Sequence, residues 1–348
     1  MNYNRLKNLI RYSTLIFLVA ISSISCKQTE IISEQRTIQD GKYDSGPNGK
    51  SIGTTIKYLS ESVKKIDVLT FYKTWEFPKN SEYTKDYLSK ISPKEIAISS
   101  NVNNESASGT AFVVYFHNYL SGFLTCAHVV EKPDIIYTFF DEDQTIVRSM
   151  SFKIRQQIFI SDMHGENSVE VVAIDTKKDL AFLKKKLDIN DASLKPFNFT
   201  VGSTDKLEWG SEIYVLGYPL GNLMLTKGVI SIDKSINKRF LSDAMYNKGI
   251  SGSPVFAILD GNNNFEWIGI ASSASAQTVQ YLTPKLDIDE KVHNNTEYYG
   301  DIFIEEKLLI NYGVTYSIPI EEIITFIVRN KSVLRERGYV TDLLPTKD

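Results

Sequence analysis

Gly249-Ile250-Ser251-Gly252-Ser253-Pro254 is the stretch on which the reading of this chain turns. A serine between glycines, followed by a small residue and proline, makes a tight turn with little side-chain cover. Such a turn exposes a hydroxyl and aims neighbouring backbone N–H groups at one point. A serine hydroxyl is a poor nucleophile at its own pKa, so chemistry at Ser251 needs a base to take its proton. Two upstream segments supply candidates. Leu124-Thr125-Cys126-Ala127-His128-Val129-Val130 is an apolar strand ending at a histidine. Lys178-Asp179-Leu180-Ala181-Phe182-Leu183 is an aspartate opening an apolar strand. An imidazole titrates near neutral pH and can accept a proton and return it. A carboxylate can hold the imidazole tautomer and stabilise the imidazolium. The order along the chain is His, Asp, Ser.

That order excludes one hydrolase class. The nucleophile elbow of α/β-hydrolases reads Gly-x-Ser-x-Gly, with the triad in the order Ser, acid, His. Here Ser253 fills the fifth position, and His128 precedes Ser251.

Further segments join the three in register. They are Ser108-Gly109-Thr110-Ala111-Phe112-Val113-Val114, Val215-Leu216-Gly217-Tyr218-Pro219, Lys227-Gly228-Val229-Ile230-Ser231, Trp267-Ile268-Gly269-Ile270-Ala271-Ser272 and Tyr316-Ser317-Ile318-Pro319. In this order, over roughly residues 105–330, the chain resembles the trypsin-like serine peptidases of the chymotrypsin fold, most closely the bacterial HtrA-type members. The resemblance implies an all-β fold of two six-stranded antiparallel β-barrels with a C-terminal α-helix. It implies a triad of His128, Asp179 and Ser251 in the cleft between them, acting on protein or peptide substrates. It implies an oxyanion hole made by the backbone N–H groups of Gly249 and Ser251. By family position Met245 lies at the base of the primary specificity pocket, with Ala271, Ser272 and Ser273 beside it. A thioether there offers no charge to Lys or Arg.

Two positions break the family pattern. Ile250 stands where many trypsin-like enzymes carry the Asp that pairs with a freshly cut N-terminal amine, so activation by that ion pair is not expected. Val129 stands where relatives often have a disulfide-bonded cysteine. Ile250 keeps a second reading open, that of a catalytically silent or conditionally active trypsin-like binding protein. HtrA-type relatives usually continue into PDZ domains. Only about ten residues follow the terminal helix here, so no PDZ domain is expected.

The N-terminus carries Arg5, Lys7 and Arg11, then Leu15-Ile16-Phe17-Leu18-Val19-Ala20-Ile21, then small residues up to Cys26. The apolar core is too short for a membrane span and reads as a signal peptide, residues 1–25. Ser23-Ile24-Ser25-Cys26 resembles a bacterial lipoprotein signal, which implies a lipidated Cys26 and a membrane-anchored protein of the cell envelope. The alternative is a secreted protein cleaved nearby. Loss of the three basic residues takes the net charge from −3 to about −6. With no basic run, no nucleic-acid partner is expected. With Cys26 lipidated, Cys126 has no partner for a disulfide and reads as a small buried hydrophobe. No His/Cys cluster has zinc-ligand spacing, so neither metal nor cofactor is expected.

Residues 26–55 are polar and read as a flexible tether. The protease-like domain is expected over 56–340, with barrel one to about 195 and barrel two from about 205. Ile66–Phe71, Thr110–Phe116, Val169–Ile174, Ile213–Leu216 and Phe265–Ala271 read as strands, rich in β-branched and aromatic residues. Ile323, Ile324, Ile327 and Val328 recur at helical spacing in a terminal helix over about 320–337. Two insertions, 75–104 and 277–312, read as long loops, the second near the specificity pocket.

Overall fold

The structure is a computed structural model that describes residues 41, 43, 52–163, 169–188, 194–197, 200–231, 239–260, 264–284, 300 and 302–346. The signal segment and Cys26 lie outside the described residues. Strands dominate because β-branched and aromatic runs can pave a pleated surface. Seven form the first sheet: β1 (Val63–Glu76), β2 (Ser99–His117), β3 (Leu120–Thr125), β4 (Ile135–Phe139), β5 (Val147–Ile160), β6 (Glu170–Asp175) and β7 (Leu180–Lys186). Their order is β4-β5-β1-β2-β3-β7-β6. Six of them give the expected antiparallel barrel sheet; β4 is an added hairpin arm on β5. The run Ala111–Tyr115 is buried throughout. It has to be, because β2 hands its pairing from β1 to β3 at Phe112 and bends through the core.

The second sheet holds β8 (Thr200–Val201), β9 (Glu212–Gly217), β10 (Met224–Ser231), β11 (Phe240–Ser242), β12 (Pro254–Leu259), β13 (Asn264–Pro284) and β14 (Ile302–Pro319). Its order is β12-β9-β10-β11-β14-β13-β8, and β12 also pairs with β13. That last pairing closes six antiparallel strands into a ring and leaves β8 as a short parallel appendage. Both barrels share one apolar cluster. Phe197, on the connection between them, packs edge-on against Phe112 of the first barrel and Trp267 of the second, at 5.2 and 5.5 Å between centroids.

Four elements differ from the sequence reading. The terminal helix is two, α3 (Ile320–Arg329) and α4 (Lys331–Glu336), after α1 (Gly53–Ser62) and the one-turn α2 (Ala127–Val130). The break falls at Asn330, whose amide side chain donates back to the Phe326 carbonyl. Within the expected tether, Tyr43 is buried and its hydroxyl donates to Glu266 at 2.7 Å. The insertion at 277–312 is a ribbon where it is described: β13 and β14 stay paired out to Pro284↔Ile302. Likewise the 75–104 insertion ends in strand, with Ser99–Asn104 paired to β1.

Candidate active site

Local chain geometry delivers each side chain. β3 ends at Thr125, whose hydroxyl donates to the Thr110 carbonyl at 2.7 Å. The chain then turns into α2, placing His128 at its second position. Asp179 sits at φ +61° immediately before β7. This left-handed conformation is uncommon outside glycine, and Asp tolerates it better than most residues.

The two meet across the first barrel. His128 Nδ1 lies 2.9 Å from both Asp179 oxygens, and the His128 backbone N–H donates to Oδ1 at 3.0 Å. Ser272 Oγ donates to Asp179 Oδ2 at 2.7 Å. Burial raises the pKa of this carboxyl, but the hydrogen bonds and charge of His128 and the Ser272 bond outweigh it, so the net value falls below the ordinary 3.8. An ionised carboxylate only accepts, so Nδ1 carries the proton and Nε2 is left as the acceptor.

Ser251 is tied to the same residue. Its Oγ donates to the Ser272 carbonyl at 3.0 Å. Ser272 therefore binds Asp179 through its hydroxyl and Ser251 through its carbonyl. Among the described residues no hydrogen bond joins Ser251 Oγ to His128.

The loop before Ser251 is fixed at several points. The Lys248 carbonyl accepts from Leu220 N–H at 2.7 Å. The Gly249 carbonyl accepts from Thr110 Oγ1 at 2.8 Å, and the Ser251 carbonyl from Thr110 N–H at 2.8 Å. The N–H of a trans peptide points away from its carbonyl. Anchoring the Lys248 carbonyl therefore turns the Gly249 N–H the other way. Among the described residues neither Gly249 N–H nor Ser251 N–H meets a protein acceptor. Glycine is required at both ends of this turn. Gly249 has φ +99° and Gly252 φ +90°, and a Cβ would strike the Tyr218 carbonyl at the first and the Thr110 carbonyl at the second.

Ile250 lies between the two free N–H groups. Its side chain is only 2% exposed and belongs to the second-barrel core with Ile213, Val215, Val255 and Ala257. The carboxylate expected at this position in many trypsin-like enzymes is thus replaced by an apolar side chain packed into the core.

The pocket positions separate. Ala271 is fully buried in the second-barrel core, Ser272 faces Asp179, and Ser273 Oγ accepts from Arg239 at 3.3 Å. Met245 is 60% exposed, while its neighbour Tyr246 is buried with its hydroxyl 2.7 Å from Ser317 Oγ. Cys126 donates to the Ala271 carbonyl at 3.3 Å, and burial pushes its thiol well above the usual range. Cys126, His128 and Asp179 offer ligand atoms within 4.8 Å of one another, but each is engaged in the hydrogen bonds above.

Residues 109–270 match the family model of the trypsin-like peptidase domain. This segment is a trypsin-like peptidase domain. The match spans somewhat less than half of the chain and contains His128, Asp179 and Ser251. No curated protein matches the sequence. Among solved structures, the chain is similar to a serine-to-alanine mutant of Rv3671c from M. tuberculosis H37Rv in an inactive form. The identity is 15% and the TM-score 0.41, over 84% of this chain and 97% of that one. It is also similar to Deg5, at 18% identity and a TM-score of 0.39, over 82% of this chain and 94% of that one. The trypsin-like peptidase fold supports a peptidase function acting on peptide substrates.

The sequence reading did not find the double role of Ser272, the anchoring of the loop by Thr110 and Leu220, or Arg239. Thr110 was visible as the third residue of Ser108-Gly109-Thr110. The other contacts join residues far apart in sequence, such as Ser272 and Asp179, and carry no local signal.

Proposed function

We propose that the protein is a serine endopeptidase that uses Ser251 as nucleophile, His128 as general base and acid, and Asp179 as the group that orients the imidazole. The carrying observation is Ser272, which holds the His128–Asp179 pair and Ser251 through one residue. His128 Nε2 takes the Ser251 proton as Oγ bonds to the peptide carbonyl carbon. The resulting oxyanion is held by the N–H groups of Gly249 and Ser251. Collapse breaks the C–N bond, and His128 returns the proton to the leaving amine. Water repeats the sequence on the acyl-enzyme and restores Ser251. Losing one oxyanion donor typically reduces the rate about 10²–10³-fold.

The Ser251–Ser272 bond is the resting arrangement in this scheme. A substrate backbone N–H that takes the Ser272 carbonyl displaces the Ser251 hydroxyl, which then rotates to His128. Catalytic hydrogen bonds often tighten only in the substrate complex. The same bond favours the second reading, a catalytically silent binding protein, if nothing displaces it. Turnover of a peptide library decides between them: His128→Ala and Ser251→Ala should each abolish cleavage that the wild type performs. No cleavage by the folded wild type supports the binding protein.

Of the pocket positions only Met245 is exposed, and it offers no charge to the residue before the scissile bond, so in this reading cleavage follows small or medium apolar residues. A dominant preference for Lys or Arg at the cleaved position contradicts it. Lipidation of Cys26 holds the enzyme at the bacterial cell envelope; several acyl chains anchor firmly where one is marginal.

A further inference from the structure

We infer that Arg239 forms an anion-binding subsite that selects substrates with an acidic side chain on the amino-terminal side of the scissile bond. The inference rests on the peptidase reading for the direction of the bound chain. Arg239 directly precedes β11, which pairs with β14, which pairs in turn with β13. Its side chain reaches across β14 to β13, where Nη1 donates to Ser273 Oγ at 3.3 Å. Ser273 directly follows Ser272, the residue that binds Asp179 and Ser251. A peptide running along this stretch of β13 passes under the guanidinium.

Arg239 pairs with Asp179 only as a long ion pair that uses none of its N–H donors. Its Nη2 lies 4.0 Å from Asp179 Oδ2, too far for a hydrogen bond. The Asp179 oxygens are already occupied by His128 Nδ1, the His128 N–H and Ser272 Oγ. A carboxylate has about four acceptor sites, and these contacts nearly fill them. A guanidinium carries five N–H donors in a planar fork matched to a carboxylate. Among the described residues Arg239 places only one of them, on a neutral hydroxyl. The side chain is 24% exposed, so its charge is partly desolvated and open on one side. Ser273 fixes the fork without neutralising it. Met245, exposed nearby in sequence to the Ser251 turn, is neutral and offers the peptide no competing charge. A substrate carboxylate is the group that completes the donors.

The test uses fluorescein-labelled Ala/Leu peptides carrying Glu, Gln or Lys in turn at the second, third and fourth positions before the scissile bond. Binding is measured by anisotropy to the Ser251→Ala protein, so no turnover is needed, and cleavage of the same peptides by the wild type reads the peptidase proposal separately. A charge-assisted hydrogen bond in partial burial is worth a preference for Glu over Gln on the order of tenfold. The expected result is such a preference at one of the three positions, levelled by Arg239→Ala and inverted in favour of Lys by Arg239→Glu. Equal binding of Glu and Gln peptides at all three positions overturns the proposal. So does a Glu preference that survives in a folded Arg239→Ala protein.

Discussion

Ile250 should control how well the oxyanion loop is held, and shortening its side chain measures this. Ile250 is 2% exposed in the second-barrel core and lies between the two N–H groups assigned to the oxyanion. Ile250→Val should reduce stability by about 0.5–1.5 kcal/mol and Ile250→Ala by about 2–5 kcal/mol. Domains of this kind are stable by about 5–15 kcal/mol, so both variants should fold. The loss should concentrate in the loop, because its remaining anchors are hydrogen bonds to its main chain. Those bonds persist: Lys248 to Leu220, Gly249 and Ser251 to Thr110, and Ser253 N–H to the Ile250 carbonyl. We therefore expect kcat to fall about tenfold in Ile250→Ala, short of the 10²–10³ for a lost donor, with KM nearly unchanged. Ile250→Asp should be worse than Ile250→Ala, since it puts a carboxylate into an apolar cluster. The assay is steady-state peptide hydrolysis alongside thermal unfolding. If Ile250→Ala unfolds at a lower temperature but keeps its kcat, the hydrogen bonds alone hold the loop and the role given to Ile250 is wrong.

Other predictions address separate parts of the molecule. Asp179→Asn should lower kcat by up to about 10⁴ through the wrong histidine tautomer; unchanged activity would refute the assignment, and Asp175 is a poor substitute because it accepts from Lys178 N–H. Because the Asp179 pKa lies below its ordinary 3.8 in the fold, the stability it contributes is whole above that value and lost as pH falls through the lower folded one. The gap in melting temperature between wild type and Asp179→Asn should therefore close below about pH 4. Cys126 should resist iodoacetamide in the native protein and react only on unfolding, since burial keeps it a neutral thiol. Cys26→Ala should release the protein from membranes or leave an unprocessed precursor; a soluble wild type at the mass of an unmodified chain would contradict lipidation. Replacing the outer part of the β13–β14 ribbon with a short turn should broaden substrate use, and an unchanged cleavage profile would show that the ribbon does not gate the site.

What could be read in the sequence was what local chemistry dictates. Gly249 and Gly252 were legible because a turn with positive φ at those positions tolerates little else. The strands around Phe112, Val215 and Trp267 were legible because they are buried apolar runs. Six strands per barrel came from the family resemblance, and the ring from β9 to β14 reproduces it. The ribbon was not legible. Its polar, charged and Tyr-rich composition reads as a loop, yet the pairing of β13 with β14 simply continues outward and overrides it. The packing of Tyr43 and Ile250, and the bond from Ser272 to Asp179, are long-range contacts that no local pattern encodes. The resemblance singled out Ser251, but only the structure shows its hydroxyl on the Ser272 carbonyl.

The central claim is that Ser251 is a nucleophile activated by His128. Labelling the folded protein with a fluorophosphonate probe, followed by peptide mass spectrometry, tests it directly. The account predicts a single covalent adduct on Ser251, absent from His128→Ala. Folded wild type that takes up no probe at Ser251, alone or with a bound peptide product, would contradict it.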